Sequence, residues 1–527
     1  MDSPQKNQEE TKIPIPRQCP PIERFRLIIG ALFVLGVAVY AILSQNIHGG
    51  GTLAIIAAAV GAYMAMNIGA NDVANNVGPA VGSKAMTLMT ALIIAAIFEA
   101  AGALIAGADV VDTIRSGIIK QDAITNADTF VWLMLGALFA AAIWLNIATA
   151  VGAPVSTTHS IVGAVLGGGL AASGVQAVNW LVLINIAASW IVSPLLGGLF
   201  AACFLYLLKR LIMYKKDMAQ AARNILPWLL SFMVWVFSTY LLLKGLSNLW
   251  KTGFIQAVII GLLLAIASFF WLRRRYRSER KEIENSKSGV NELFSLPLVF
   301  SAALLSFAHG SNDVANAVGP LAAIVDASRG AMTASSGIPL WIMMVGAIGI
   351  SLGLALYGPR LIRTVGTEIT DLDQTRAFCI ALSAAITVIF ASQFGLPVSS
   401  THIAVGGVFG VGFLREYLKT SYAHMIEEIR EHYPQERHSE INAFMQRFEA
   451  AAIKERGEML KKLKKLKKNA PVALSKTERR NLRSVYKEEL VKRSLVIRIA
   501  AAWLITVPAS ALLSALFFFM LRGMMLP

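Results

Sequence analysis

Four short segments hold the residues whose types and spacing could do chemistry. NIGANDVANNVGPAVG (67–82) returns as AHGSNDVANAVGPLAA (308–323), and GAPVSTTHSIVGAVLGGG (152–169) returns as GLPVSSTHIAVGGVFGVG (395–412). Each copy of the first motif sets a carboxylate, Asp72 or Asp313, into an apolar stretch. The amides of Asn71 and Asn75, and of Asn312 and Asn316, flank them. Carboxylate and amide oxygens make a hard, all-oxygen shell, which suits a small hard cation such as sodium and suits a proton less. Gly69, Gly78, Gly310 and Gly319, with Pro79 and Pro320, are expected to break the helices here. Broken helices free carbonyls for cations and amides for anions.

The second motif offers Ser156, Thr157 and Thr158 in one copy and Ser399, Ser400 and Thr401 in the other. The preceding proline discourages helix before it, so the hydroxyls sit where a new helix should start. Hydroxyls and free amides at a helix N-terminus make an anion site without fixed positive charge. A tetrahedral oxyanion such as phosphate would be met from two sides, and cations at Asp72 and Asp313 would offset its charge. Asn and Asp also cap helices, and Ser and Thr also bond back to helix carbonyls. Duplication of both patterns inside apolar sequence favours binding. His159 and His402, together with the intramembrane acid Glu99, are accessory candidates, with a proton relay as the role open to the histidines. His309 also lies in a motif and is read as a packing residue.

The elements that must position these groups are membrane helices. The chain has 527 residues, 56% hydrophobic and 15% charged, whereas soluble proteins carry about 25% charge. Apolar segments fall near 27–44, 52–77, 87–107, 129–151, 157–176, 178–207, 227–243, 254–272, 296–318, 338–358, 375–395, 400–416 and 496–521, some of them open to a re-entrant reading. The expected fold is an all-α polytopic bundle in the lipid bilayer. The net charge of +16 sits in loops between these segments. It therefore speaks for orientation and against nucleic acid. Loops 207–224 and 273–287 are basic and two crossings apart, and loop 108–128 is acidic. Positive-inside then puts the N-terminus in the cytoplasm and the C-terminus outside, in a plasma or inner membrane. Cys19, Cys203 and Cys379 show no ligand or disulfide spacing. No HExxH, GxSxG or P-loop occurs, so neither an enzyme nor a cofactor is indicated.

The two motif pairs are offset by 241 positions (69 to 310) and 243 positions (154 to 397). Two motifs in one order at nearly one offset mark a duplicated unit. An odd number of crossings separates its copies, so they run in opposite directions, a plan whose binding site lies at the midplane between repeats. The chain divides into a disordered tail (1–26), an extra N-terminal helix (27–51), a first repeat (52–206) and a connecting region (207–294). A second repeat (295–416), a charged cytoplasmic loop (417–493) and a C-terminal helix (494–527) follow. The run KKLKKLKK (461–468) reads as a solvated helix face or a contact for anionic lipid.

GANDVANNVGPAVGSK (69–84), GSNDVANAVGPLAA (310–323), PVSTTH (154–159) and PVSSTH (397–402) resemble the inorganic phosphate transporter (Pit-type) family, which includes sodium–phosphate symporters. IFEAAGALIAGADVVDTIRSGI (97–118) also looks like that family's first half. The resemblance implies inverted repeats with phosphate and sodium bound between them. It implies cation contacts at Asn71, Asp72, Asn75, Asn312, Asp313 and Asn316, and phosphate contacts at the six hydroxyl residues named above. Ala381 stands where some members carry a glutamate, which leaves the coupling stoichiometry open. Sulfate, a proton as coupling ion, a metal–phosphate complex and a phosphate-sensing receptor are the competing readings. A homo-oligomer is compatible with all of them.

Overall fold

The computed structural model describes residues 21–48, 51–124, 126–150, 155–245, 252–278, 283–330, 337–368, 372–431, 447 and 493–525. The N-terminal tail up to residue 20 and nearly all of loop 417–493 beyond residue 431, including KKLKKLKK, lie outside the described residues. The helices in chain order are α1 Pro21–His48, α2 Thr52–Gly82, α3 Leu88–Ala106, α4 Ala108–Asp112, α5 Ala127–Ala150, α6 Thr157–Ser173, α7 Trp180–Leu208 and α8 Met218–Tyr240. They continue as α9 Phe254–Ser278, α10 Lys287–Asp313, α11 Ala315–Ser328, α12 Leu340–Glu368, α13 Gln374–Gln393, α14 Ser400–Glu431 and α15 Arg493–Met525.

Among the described residues, 11 helical stretches are long and apolar enough to cross a membrane, with α10 and α11 counted as one. Two of the thirteen expected segments, α6 and α14, are absent from that set. Helix α6 has only 17 residues and is buried along most of its length, and α14 begins on Ser400, Thr401 and His402 and soon meets Arg415 and Glu416. Each packs beside the helix before it, α6 on α5 and α14 on α13, and a short link joins each pair. A hairpin adds an even number of membrane passages whether it spans or turns back. The opposed direction of the repeats therefore survives the lower count.

The glycines of the first motif do not break helices. Helix α2 runs unbroken from Thr52 to Gly82 with Gly69 and Gly78 inside it. In the second copy the only interruption is at Val314, between α10 and α11, and neither Gly310 nor Gly319 marks it. Small residues here serve close packing, as at helix contacts in lipid. A Cβ at Gly69 would overlap the Ile350 carbonyl oxygen, and one at Gly310 would overlap that of Glu99. Gly353 and Gly102 meet Met66 and Phe307 in the same way. So α2 crosses α12 and α10 crosses α3 by the same device, and each crossing joins one repeat to the other.

The hairpins repeat this exchange. Gly163 and Gly167 of α6 press on the backbone at Val507 and Ala511 of α15, while Gly406 and Gly410 of α14 press on Pro194 and Gly198 of α7. Helix α15 thus stands to α6 as α7 stands to α14, and both carry an internal proline, Pro508 and Pro194. Helix α15 therefore packs as α7 does, although 417–493 separates it in sequence from 295–416.

Two apolar clusters result, and their seam is informative. One takes α2 up to Ile68 and α11 from Val314 onward. The other takes α2 from Val73 onward and α10 up to Ala308. The polar motif residues 69–72 and 309–313 lie between the two.

Gly310→Val should force α10 off α3, an overpacking cost of about 1–3 kcal/mol or more. Thermal unfolding in detergent should show a midpoint lowered by several degrees. Gly36→Ala, where a Cβ meets nothing within 4 Å, should leave it unchanged.

Candidate substrate and cation site

Both hairpins present a capped helix start. Ser156 accepts the His159 N–H at 3.2 Å, and Ser399 accepts the His402 N–H at 3.3 Å. The serines thus act as N-caps, and the first-turn amides beyond them have no intrahelical acceptor. The tips touch, since the Thr158 hydroxyl donates to the Val398 carbonyl at 3.0 Å.

The two asparagines of each first motif divide their work. Asn71 donates to the Val155 carbonyl at 3.3 Å. Its counterpart Asn312 donates to the Leu396 carbonyl at 3.0 Å and accepts the Val398 N–H at 3.1 Å. These residues hold the hairpin tip of their own repeat. Asn312 also donates to Ser392 at 2.9 Å, which commits it to that backbone more than to a cation. Asn75 and Asn316 reach across instead. Asn75 donates to Thr401 at 2.8 Å, and Asn316 donates to Thr158 at 3.2 Å and Thr157 at 3.4 Å.

Asp72 joins both hairpins in one carboxylate. It accepts from Thr157 at 3.0 Å through Oδ2 and from Thr401 at 2.9 Å through Oδ1. Asn71 adds a third donor at 3.0 Å. Asp313 accepts from Ser400 at 3.3 Å. All twelve predicted binding residues therefore meet in one place, ten buried and Asn71 and Asn75 half-buried. Among the described residues, Asp313 Oδ1 and Asn316 Oδ1 are buried acceptors with no donor. They lie three residues apart on one helical face, and open oxygens of this kind fit a hard cation.

His309, read from sequence as a packing residue, is the motif histidine that reaches the carboxylates. Its Nε2 lies 2.9 Å from Asp313 and 3.8 Å from Asp72, and its Nδ1 lies 3.4 Å from Glu99. Glu99 also accepts from Asn76 at 2.8 Å, so it lies beside the site. The 241-residue offset pairs His309 with Ile68. The glycine crossings pair Glu99 with Ile350. Histidine and acid are both unmatched in the other repeat and contact each other. The spacing of His309 four residues before Asp313 was the signal available. His159 and His402 differ, since their rings lie 4.5 Å apart and His159 stacks on Trp190 at 3.7 Å. They pack behind the caps.

A strap from the first repeat braces the second. Thr113 donates to the Gly395 carbonyl at 2.7 Å, at a turn where Gly395 has φ +65°. Arg115 is 2% exposed and pairs with Asp326 of α11 through Nη2, with its Nε donating at 2.6 Å.

Two interlocked helical repeats, with two capped hairpin tips closing on buried carboxylates inside a membrane bundle, define a transporter and not an enzyme. The chain belongs to the phosphate transporter family, whose model matches residues 68–514. It is 51% identical over 506 residues to a Helicobacter pylori protein named "Putative phosphate permease", covering 94% of this chain and 95% of that one. A Thermococcus kodakarensis protein of the same description is 40% identical over 364 residues, covering 68% of this chain and 88% of that one. Among solved structures, one named "The sodium-dependent phosphate transporter" matches with a TM-score of 0.72 at 31% identity, over 90% of this chain and all of that one.

Removing one partner of a buried ion pair costs about 3–5 kcal/mol. Arg115→Met should therefore lower the unfolding midpoint strongly, and Arg115→Met with Asp326→Leu should recover most of the loss.

Proposed function

We propose that the protein carries inorganic phosphate across the membrane, coupled to sodium, by alternating access. The observation that carries this reading is Asp72, one carboxylate hydrogen-bonded to a threonine from each hairpin. In this state Thr157, Thr158, Ser400 and Thr401 each donate to a protein acceptor. A cation on Asp72 or Asp313 takes up the carboxylate lone pairs and releases the hydroxyls, which then turn toward an oxyanion beside the first-turn amides. Phosphate in turn lowers the cost of holding the cation. This coupling is reciprocal by thermodynamic necessity.

The open oxygens at Asp313 and Asn316 and the likeness to a sodium-dependent transporter of known structure both favour sodium over a proton. The site lies at the seam between the two apolar clusters, as a midplane site reached from either side requires. The basic loops 207–224 and 273–287 support a cytoplasmic N-terminus and an external C-terminus in a plasma or inner membrane. With this orientation the first hairpin enters from outside and the second from the cytoplasm. A second reading, uptake of a metal–phosphate complex, draws on Asp72, His309 and Asp313, whose ligand atoms all lie within 4.8 Å of one another.

The test is uptake of labelled phosphate into liposomes holding the purified protein. Accumulation should require an inward sodium gradient, vanish with choline at fixed pH, and resist excess sulfate. Accumulation on a proton gradient alone, or only with a divalent metal, would shift the coupling. Binding without accumulation would make the protein a receptor. Asp72→Asn and Asp313→Asn should each cut accumulation at least tenfold while the protein still inserts, and normal transport by both would defeat the cation role. Ser156→Ala with Ser399→Ala should raise the half-saturating phosphate concentration several-fold.

A further inference from the structure

The α8–α9 pair supplies none of the twelve site residues. At the end where α8 begins and α9 finishes, Arg223, Gln220 and Asn224 of α8 line a cavity of about 370 Å³ together with Arg273 and Arg277 of α9. A neighbouring open surface hollow shares Arg273 and Arg277 and adds Arg274 and Phe270. Among the described residues, no carboxylate lines either one. Basic residues at a cytoplasmic helix end are ordinary for a membrane protein and also suit the helix dipole. Neither reason accounts for guanidinium groups from two helices and two amide side chains converging on one concavity.

The surroundings say what fits there. Trp228, Phe270 and Trp271 beside the arginines are 63%, 62% and 68% exposed. Further along α9, Leu263 and Ile255 are 61% and 71% exposed. Aromatic side chains of this kind mark the level of lipid headgroups, and the apolar face beyond them is of a kind that lies against acyl chains. The cavities thus sit where a lipid-facing surface gives way to positive charge. Guanidinium forks bind phosphate oxygens in pairs, and basic pockets between membrane helices hold anionic headgroups.

We propose that this concavity binds the phosphate headgroup of an anionic membrane phospholipid, with its acyl chains along α9. The ligand is lipid and not free phosphate, because the apolar wall continues from the arginines along the helix. This assignment is independent of the transport reading.

Native mass spectrometry of the full chain in detergent tests it, with phosphatidylglycerol and phosphatidylcholine of identical acyl chains. The wild type should retain phosphatidylglycerol at least fivefold better. Arg223→Gln with Arg273→Gln and Arg277→Gln should bring retention down to the phosphatidylcholine level in protein that remains monodisperse. The single variant Arg277→Gln, with less risk to folding, should lower it at least twofold. Lys215→Gln with Lys216→Gln, which removes charge from the adjacent loop outside the cavity, should change it less than twofold. The proposal is overturned if the wild type shows no preference for the anionic lipid, if the loop variant loses as much as the cavity variants, or if inorganic phosphate at equal concentration displaces the lipid.

Discussion

A buried carboxylate that must be neutralised organises this molecule. Asp72 and Asp313 are each 1% exposed, and Glu99 is fully buried beneath them. Asp72, His309 and Asp313 offer ligand atoms no more than 4.8 Å apart. Two carboxylates at that separation repel by about 3.5 kcal/mol at an effective dielectric of 20. His309 can offer at most one counter-charge to three acids. The remaining imbalance can be met by a cation, and the hydroxyls now engaged by Asp72 and Asp313 are what that cation would release. In the proposed function, affinity for the cation and readiness for the anion would follow from this one electrostatic constraint.

The fold places this charge at a seam. Each apolar cluster draws on both repeats, because glycine contacts at Gly69, Gly310, Gly167 and Gly410 interlock them. Cores are close-packed and resist gradual deformation. The polar contacts lie between the clusters, where hydrogen bonds and not close-packed apolar side chains join the parts. Asn75 and Asn316 reach from their own repeat to the hairpin of the other, while Asn71 and Asn312 keep each tip in shape.

Much of this was legible in the sequence. The Asn-Asp pairs and the Pro-Val-Ser hydroxyl runs were readable as two duplicated motifs, and the caps at Ser156 and Ser399 follow from local chemistry alone. What escaped depends on tertiary contact. Gly69 and Gly78 look like breakers in a linear reading, yet α2 continues through them, and Gly69 is needed for what crosses it. Length and hydropathy cannot tell α6, a buried hairpin arm, from a spanning helix. The likeness of α15 to α7 in packing and in its internal proline was hidden because 417–493 intervenes. His309 and Glu99 each lack a counterpart, so a search for duplicated residues discounts both, and only their mutual contact reveals them.

The most direct test of the central claim is equilibrium binding of radiolabelled sodium to the purified protein with and without phosphate, in wild type and in Asp72→Asn. The account predicts that saturating phosphate raises sodium affinity in the wild type by at least fivefold, a coupling in the usual range of about 1–3 kcal/mol, and that the variant loses this increase. Sodium affinity that ignores phosphate, or an increase that persists in Asp72→Asn, would contradict it.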